Sequence, residues 1–132
     1  MITIPERYLD LLADEKKAFL YLATSMQDGS PQVTPVWFSY EDGYLLVNSA
    51  RGRVKDRNMR RDPRVAVCIQ DPGDPYRYLQ LRGRVVEIRE HGAEEHILKL
   101  AQKYTGKASF QKNAPDEVRV IYRIAPESID EH

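Results

Sequence analysis

Arg51, Arg53, Lys55, Arg57, Arg60, Arg61 and Arg64 place seven basic side chains within the fourteen residues 51–64. The whole chain is neutral, with 20 Lys and Arg against 20 Asp and Glu, so positive charge has been concentrated in one stretch. Read as a short helix over 54–61, the stretch sets Arg53, Arg57, Arg60 and Arg61 at i, i+4, i+7 and i+8, on one face. Like charges so spaced cost roughly 0.2–0.5 kcal/mol per pair. Arg51 and Arg53 also stand where the helix begins, at the positive end of its dipole, with Ser49 and Gly52 nearby to suit a cap and a close backbone approach. A bound anion relieves both costs, because free N–H groups at a helix start flanked by Arg and Lys make a phosphate or carboxylate site. The competing reading is a solvated charged face, in which Asp56 and Asp62 offset part of the repulsion.

Other chemistries lack their residues. No G-x-S-x-G, C-x-x-C, G-x-x-x-x-G-K-[ST] or G-x-G-x-x-G occurs. The histidines are His91, His96 and His132, and the first two, five apart, fall on different sides of a helix, so no metal site is expected. The single Cys68 excludes an internal disulfide and lies in an apolar run, where a buried, inert thiol in a reducing compartment is the reading. Zero net charge argues against coating nucleic acid or an anionic membrane, so any bound anion is small. No apolar run approaches the roughly 20 residues that cross a bilayer, and Met-Ile-Thr-Ile-Pro does not open a secretory signal, so the expected location is cytoplasmic.

The elements that must position the basic run follow from apolar pattern and turn chemistry. With 132 residues and 42% apolar composition, one domain over 1–132 buries roughly two thirds of its unfolded surface. A short leading helix is read over 5–13, strands over 18–26 and 31–40 joined by Gln27-Asp28-Gly29-Ser30, and a third over 44–48 after Glu41-Asp42-Gly43. Pro31 and Pro35 make the second strand an edge or a bulged strand, because proline cannot donate to a ladder. Beyond the basic helix, 64–70 reads as a strand buried on both faces, 71–75 as a turn, and 76–89 as a long strand bent at Gly83. A helix over 93–104 stops at Gly106, 105–116 is a polar loop, and 117–124 closes the sheet. Six strands, with two or three helices and no repeat, make a mainly β, antiparallel barrel with helical covers.

The motifs ATxxxDGxPQxTPVWF (23–38), DGxLLVNSAxGRxKxRNxRRDPRVAV (42–67), LRGRV (81–85) and KYTG (103–106) carry a resemblance. The chain resembles the flavin/deazaflavin oxidoreductase branch of the pyridoxamine 5′-phosphate oxidase-like split β-barrel superfamily over nearly its full length. The resemblance implies an FMN-binding split β-barrel of six to seven mostly antiparallel strands, and a homodimer with cofactor sites along the subunit interface. It implies as cofactor the 8-hydroxy-5-deazaflavin coenzyme F420, or alternatively FMN. By position, Arg53 and Lys55 would hold the phosphate, with Asn48, Ser49 and Arg57 beside it. Gln32, Val33, Thr34 and Pro35 would line the ring, Trp37 would pack near it, and Leu46 and Val47 would give backbone contacts. Tyr76, Arg77 and Tyr78 would reach in from the partner subunit, with Tyr78 a speculative proton donor.

The cofactor would carry hydride to an activated acceptor such as an enone, quinone or tetrapyrrole, and the protein would supply orientation and electrostatics. Two readings from other classes stay open at this point. A carrier of the same fold would bind a flavin without turnover. A nucleic-acid adaptor would bind with affinity falling steeply with salt, although no base-stacking aromatics are interleaved with the cations.

Overall fold

A computed structural model of the chain describes residues 1–130, so His132 lies outside the described residues. The helices are α1 (Leu9–Leu12), α2 (Val54–Arg61) and α3 (Ala93–Thr105). The strands are β1 (Leu20–Ser25), β2 (Pro31–Val36), β3 (Phe38–Glu41), β4 (Tyr44–Ala50), β5 (Arg64–Asp71), β6 (Asp74–Arg89) and β7 (Arg119–Asp130). All seven strands join one antiparallel sheet in the order β2-β1-β5-β6-β7-β4-β3. Its two edge strands, β2 and β3, are consecutive in the chain and separated only by Trp37. A sheet whose outermost strands are so joined must curl back on itself, which makes the mainly β split barrel.

Alternation puts one face of each strand into the barrel. Leu20 and Leu22, Val65 and Val67, Leu79 and Leu81, and Tyr122 and Ile124 meet there in one core. Leu11 and Leu12 of α1 and Met59 of α2 pack against the same core. Gly83 sits at a register shift between β6 and β7, where a Cβ would lie 2.7 Å from the Ala125 carbonyl oxygen. The bend expected there is a close backbone approach, and Pro126 is accommodated opposite it.

Three expectations need correction. The single strand over 31–40 is two strands, because Trp37 leaves the ladder to stack on Tyr104 and the Phe38 N–H donates to the Tyr104 hydroxyl at 3.3 Å. The expected edge is β2, but the chain then crosses to the opposite edge of the sheet. β5 is buried on one face only. Val65, Val67 and Ile69 are inside, while Ala66, Cys68 and Gln70 are half-exposed, because Tyr21 beside Cys68 and Val33 in the next strand are themselves exposed. Cys68 is therefore less buried than its apolar context implies, though desolvation still raises its pKa and disfavours the thiolate. The closing strand runs to Asp130 rather than stopping at 124, since it pairs with β4 first and then follows the long β6.

Candidate functional site

The basic run folds as α2, over the residues its pattern predicts, but its charges disperse. Asp56, third in the helix and buried, accepts from the Gly52 N–H at 2.8 Å, the Tyr122 hydroxyl at 2.6 Å and Arg60 Nε at 3.0 Å. Burial alone would raise its pKa, and these donors hold it below the usual carboxylate range instead. The carboxylate thus fastens the first turn of α2 to β7. Arg57 donates to the Gly52 carbonyl, Arg61 to the Ser25 carbonyl, and Arg51 pairs with Glu90 at 2.9 Å. The face expected to gather four arginines is broken up by these separate partners, and of the basic run Arg53 and Lys55 line the main cleft.

That cavity is an open cleft of about 570 Å³. It begins where β4 runs past the start of β3: Val47 has Phe38 on one side and Tyr122 on the other, whereas Asn48 and Ser49 pair only with β7. Phe19, Tyr21 and Trp37 give it an aromatic wall, with Pro35, Val36 and Ile97 beside them. Asn48 and Ser49 form a polar floor, Arg53, Lys55 and Arg119 supply cations, and Phe110 and Asn113 come from the loop 106–118. Ser49 is only 2% exposed and its Oγ has no hydrogen-bond partner. A buried hydroxyl left so is costly, and here it borders a space a ligand can fill. Thr34 Oγ1 is likewise buried and unpartnered.

Charge in the cleft is unbalanced. Glu117 accepts from Arg53 Nη2 at 3.0 Å and from Arg119 Nη1 at 3.2 Å, so one carboxylate serves two guanidinium groups. Lys55 has no carboxylate partner among the described residues. Desolvation first, then Arg53 and Arg119, lower its pKa from the ordinary lysine value. Three cations thus face one anion in a partly desolvated space, an excess of positive charge that favours binding an anion such as phosphate.

Behind the floor lies a buried polar chain. Asn48 Oδ1 accepts from Arg119 Nε at 2.9 Å, while its Nδ2 donates to the Ala93 carbonyl at 2.9 Å and meets His96 Nδ1 at 3.1 Å. His96 Nε2 meets Ser39 Oγ at 2.9 Å, and Ser39 donates to Glu41 Oε2 at 2.9 Å. Nδ1 must accept from the Asn48 amide, so Nε2 carries the proton of a neutral ring. Burial agrees, lowering the His96 pKa to about 4. The imidazole thereby sets the Asn48 amide, and the amide aims Arg119.

The aromatic wall is braced from outside. Tyr104 stacks between Phe19 (5.3 Å) and Trp37 (5.2 Å), and its hydroxyl donates to the Ala18 carbonyl at 2.6 Å. Lys103 is buried beneath, donating to the Phe38 carbonyl at 2.8 Å with its ammonium over the Phe38 ring.

Of the residues singled out in the sequence, Pro35, Trp37, Asn48, Ser49, Arg53 and Lys55 line this cleft. Gln32 meets the Thr24 hydroxyl at 3.2 Å, Val33 is exposed on the outer face, and Thr34 points to the inner side of the sheet. Leu46 packs against Ala93 and Ile121, and Val47 lies in the core. Arg57 is outside the cleft. Tyr76, Arg77 and Tyr78 do not line the cleft of their own chain; Arg77 is held by Asp10 at 2.9 Å and Asp71 at 3.0 Å. Sequence reasoning missed Phe19, Tyr21, Phe110, Asn113, Arg119, Glu117 and His96. Only His96 left a signal, as a polar residue next to the apolar stripe of α3. The others read as ordinary strand and loop residues.

The family model for pyridoxamine 5′-phosphate oxidase matches residues 4–132. The chain belongs to the pyridoxamine 5′-phosphate oxidase family. Among solved structures of similar fold is an F420 reductase, 35% identical, covering 96% of this chain and 98% of that one, with a TM-score of 0.83. A conserved hypothetical protein of Mycobacterium tuberculosis is 25% identical over 97% of this chain and 84% of that one, with a TM-score of 0.72. A FAD-binding protein of Mesorhizobium loti, 24% identical over 97% and 94% with a TM-score of 0.67, shares the fold. Membership makes this chain one of a family of flavin-binding, oxidoreductase-type split barrels. Among the described residues no helix is long and apolar enough to cross a membrane, and no cluster of three metal-ligating side chains occurs.

Proposed function

We propose that this member of the pyridoxamine 5′-phosphate oxidase family is an oxidoreductase using coenzyme F420, with FMN as the alternative cofactor. The observation that carries the reading is the unpartnered, buried Ser49 hydroxyl facing a cleft where Arg53, Lys55 and Arg119 outnumber Glu117. The residues present fit a ring bearing a phosphate. Arg53 and Lys55 hold the phosphate, Ser49 Oγ gains a partner, and Phe19, Tyr21 and Trp37 give the ring an apolar wall that excludes water. When bound, such a ring supplies hydride transfer to a small activated acceptor.

The preference for F420 rests on the 35% identical F420 reductase. The sequence argument for it, a spread of cations suited to a polyanionic tail, weakens because Arg51, Arg57, Arg60 and Arg61 already have partners. Among the described residues no imidazole lines the cleft, and the carboxylate at its margin, Glu117, is engaged by Arg53 and Arg119 rather than free to act as a base. The proton that accompanies hydride therefore comes from solvent or from a tyrosine, and Tyr78 serves only if it arrives from a second copy. A homodimer with two interfacial sites is part of the reading, supported by the exposed outer face at Tyr21 and Val33 beside the cleft. The work is placed in the cytoplasm, where Cys68 stays reduced.

The test uses Trp37, the one tryptophan, as a probe inside the cleft. Its fluorescence is followed while F420, FMN and riboflavin are titrated, and enones, quinones and tetrapyrroles are then offered to the reduced complex. Quenching by F420 with acceptor turnover is expected. Tight FMN binding with no response to F420 moves the assignment to FMN, binding without turnover to any acceptor makes the protein a carrier, and silence toward every ring removes the reading.

A further inference from the structure

We infer that Glu117 is a resident counter-anion of the cleft, occupying Arg53 until a ligand's phosphate takes that arginine from it, and that this competition selects phosphates against carboxylates. The inference rests on the proposed reading of the cleft as a phosphate-binding site. Glu117 is nearly buried, with its side chain 6% exposed, and its two oxygens are divided between Arg53 and Arg119. The two arginines are held differently. Arg119 is 5% exposed and fixed by Asn48, whereas the Arg53 side chain is 38% exposed at the cap of α2. Arg53 is thus the partner that can change hands.

The Arg53–Glu117 pair also stands at the margin of the cleft. On its other side lies a second hollow of about 430 Å³, lined by Arg51, Asp116 and Glu117, and Arg53 and Asn113 line both spaces. A ligand carboxylate offers Arg53 no more charge and no more oxygens than Glu117 already gives it. A terminal phosphate, as in inorganic phosphate or FMN, brings about −1.5 to −2 charges and three acceptor oxygens, and Lys55 and Ser49 Oγ wait beside it. Only such a terminal phosphate gains in charge and oxygens by the exchange; a diester phosphate relies on Lys55 and Ser49 Oγ.

The experiment titrates wild type and Glu117→Gln with inorganic phosphate, acetate, FMN, riboflavin and F420, reading Trp37 fluorescence. Removing the competitor should tighten phosphate and FMN about tenfold or more, since one charge-assisted contact no longer has to be broken. Riboflavin, without phosphate, should bind both proteins alike, and acetate, inert toward wild type, should compete for the variant. Phosphate affinity that is unchanged or weaker in the variant overturns the inference, even if FMN still binds. Tightened phosphate binding with no response to FMN, riboflavin or F420 leaves Glu117 in its role and removes the cofactor reading. Should Glu117→Gln fail to fold, Glu117→Asp keeps a charge for Arg119 but draws it back from Arg53. It should tighten phosphate severalfold, and no change there is equally decisive against the inference.

Discussion

Lys55 keeps its charge in a place that disfavours it, since burial and two guanidinium neighbours pull its pKa down. Lys55→Met should therefore raise the thermal midpoint of the ligand-free protein while weakening a phosphate-bearing ring ligand about tenfold or more. Scanning calorimetry and Trp37 titration measure the two effects. A lower midpoint would show that the ammonium is not held under strain. His96 makes a pH prediction. Its pKa falls from 6.5 to about 4 on folding, through burial, with Glu41 opposing and Lys99 and Arg89 reinforcing. The folded state thus binds fewer protons than the unfolded one between those values. The neutral ring's contribution is whole above pH 6.5 and is lost as pH falls toward 4. At about 1.4 kcal/mol per unit this is on the order of 3 kcal/mol. Urea unfolding at pH 7 and 4.5 should show a larger acid loss in wild type than in His96→Asn, and equal losses would sink the account.

Element by element, β6 and α3 carry the tightest demands. At Gly83 a methyl group would meet the Ala125 carbonyl oxygen at 2.7 Å and Ile124 Cγ2 at 3.0 Å, and backbone cannot step aside as a flexible side chain can. Gly83→Ala should cost about 1–3 kcal/mol in chemical denaturation. Tyr104→Phe deletes the hydroxyl that donates to Ala18 and accepts from Phe38. A loss of about 1–2 kcal/mol is expected, together with a changed near-ultraviolet dichroism from Trp37 as its brace loosens. The bend at Gly83, the span of α2 and the stop at Gly106 were legible in the sequence because each has a local cause in backbone geometry or period. The break at Trp37 was not, because a residue 67 positions away in the chain creates it: Tyr104 competes for Trp37's ring and for the Phe38 N–H. The site divides in the same way. Arg53 and Lys55 announce themselves by crowding, whereas Arg119 and Glu117 look like any charged pair at a strand end until the curl of the sheet brings them under Asn48.

For the whole molecule, the outer face running from Val33 (63% exposed) across Tyr21 to half-exposed Cys68 is the part a second copy would cover. On the proposed dimeric reading wild type should sediment as a dimer and Val33→Glu as a monomer, and the substitution should weaken F420 binding if the partner completes the site. A wild-type monomer that binds the coenzyme fully would end the dimeric reading. The barrel itself has one property that follows from its strand order. Every join between neighbouring strands is a ladder of many hydrogen bonds, except the last, where Trp37 alone connects the two margins. The cylinder is buttoned rather than sewn at that point. Its thermal breathing should concentrate beside the button, so the space between the two margins widens without unzipping a single ladder.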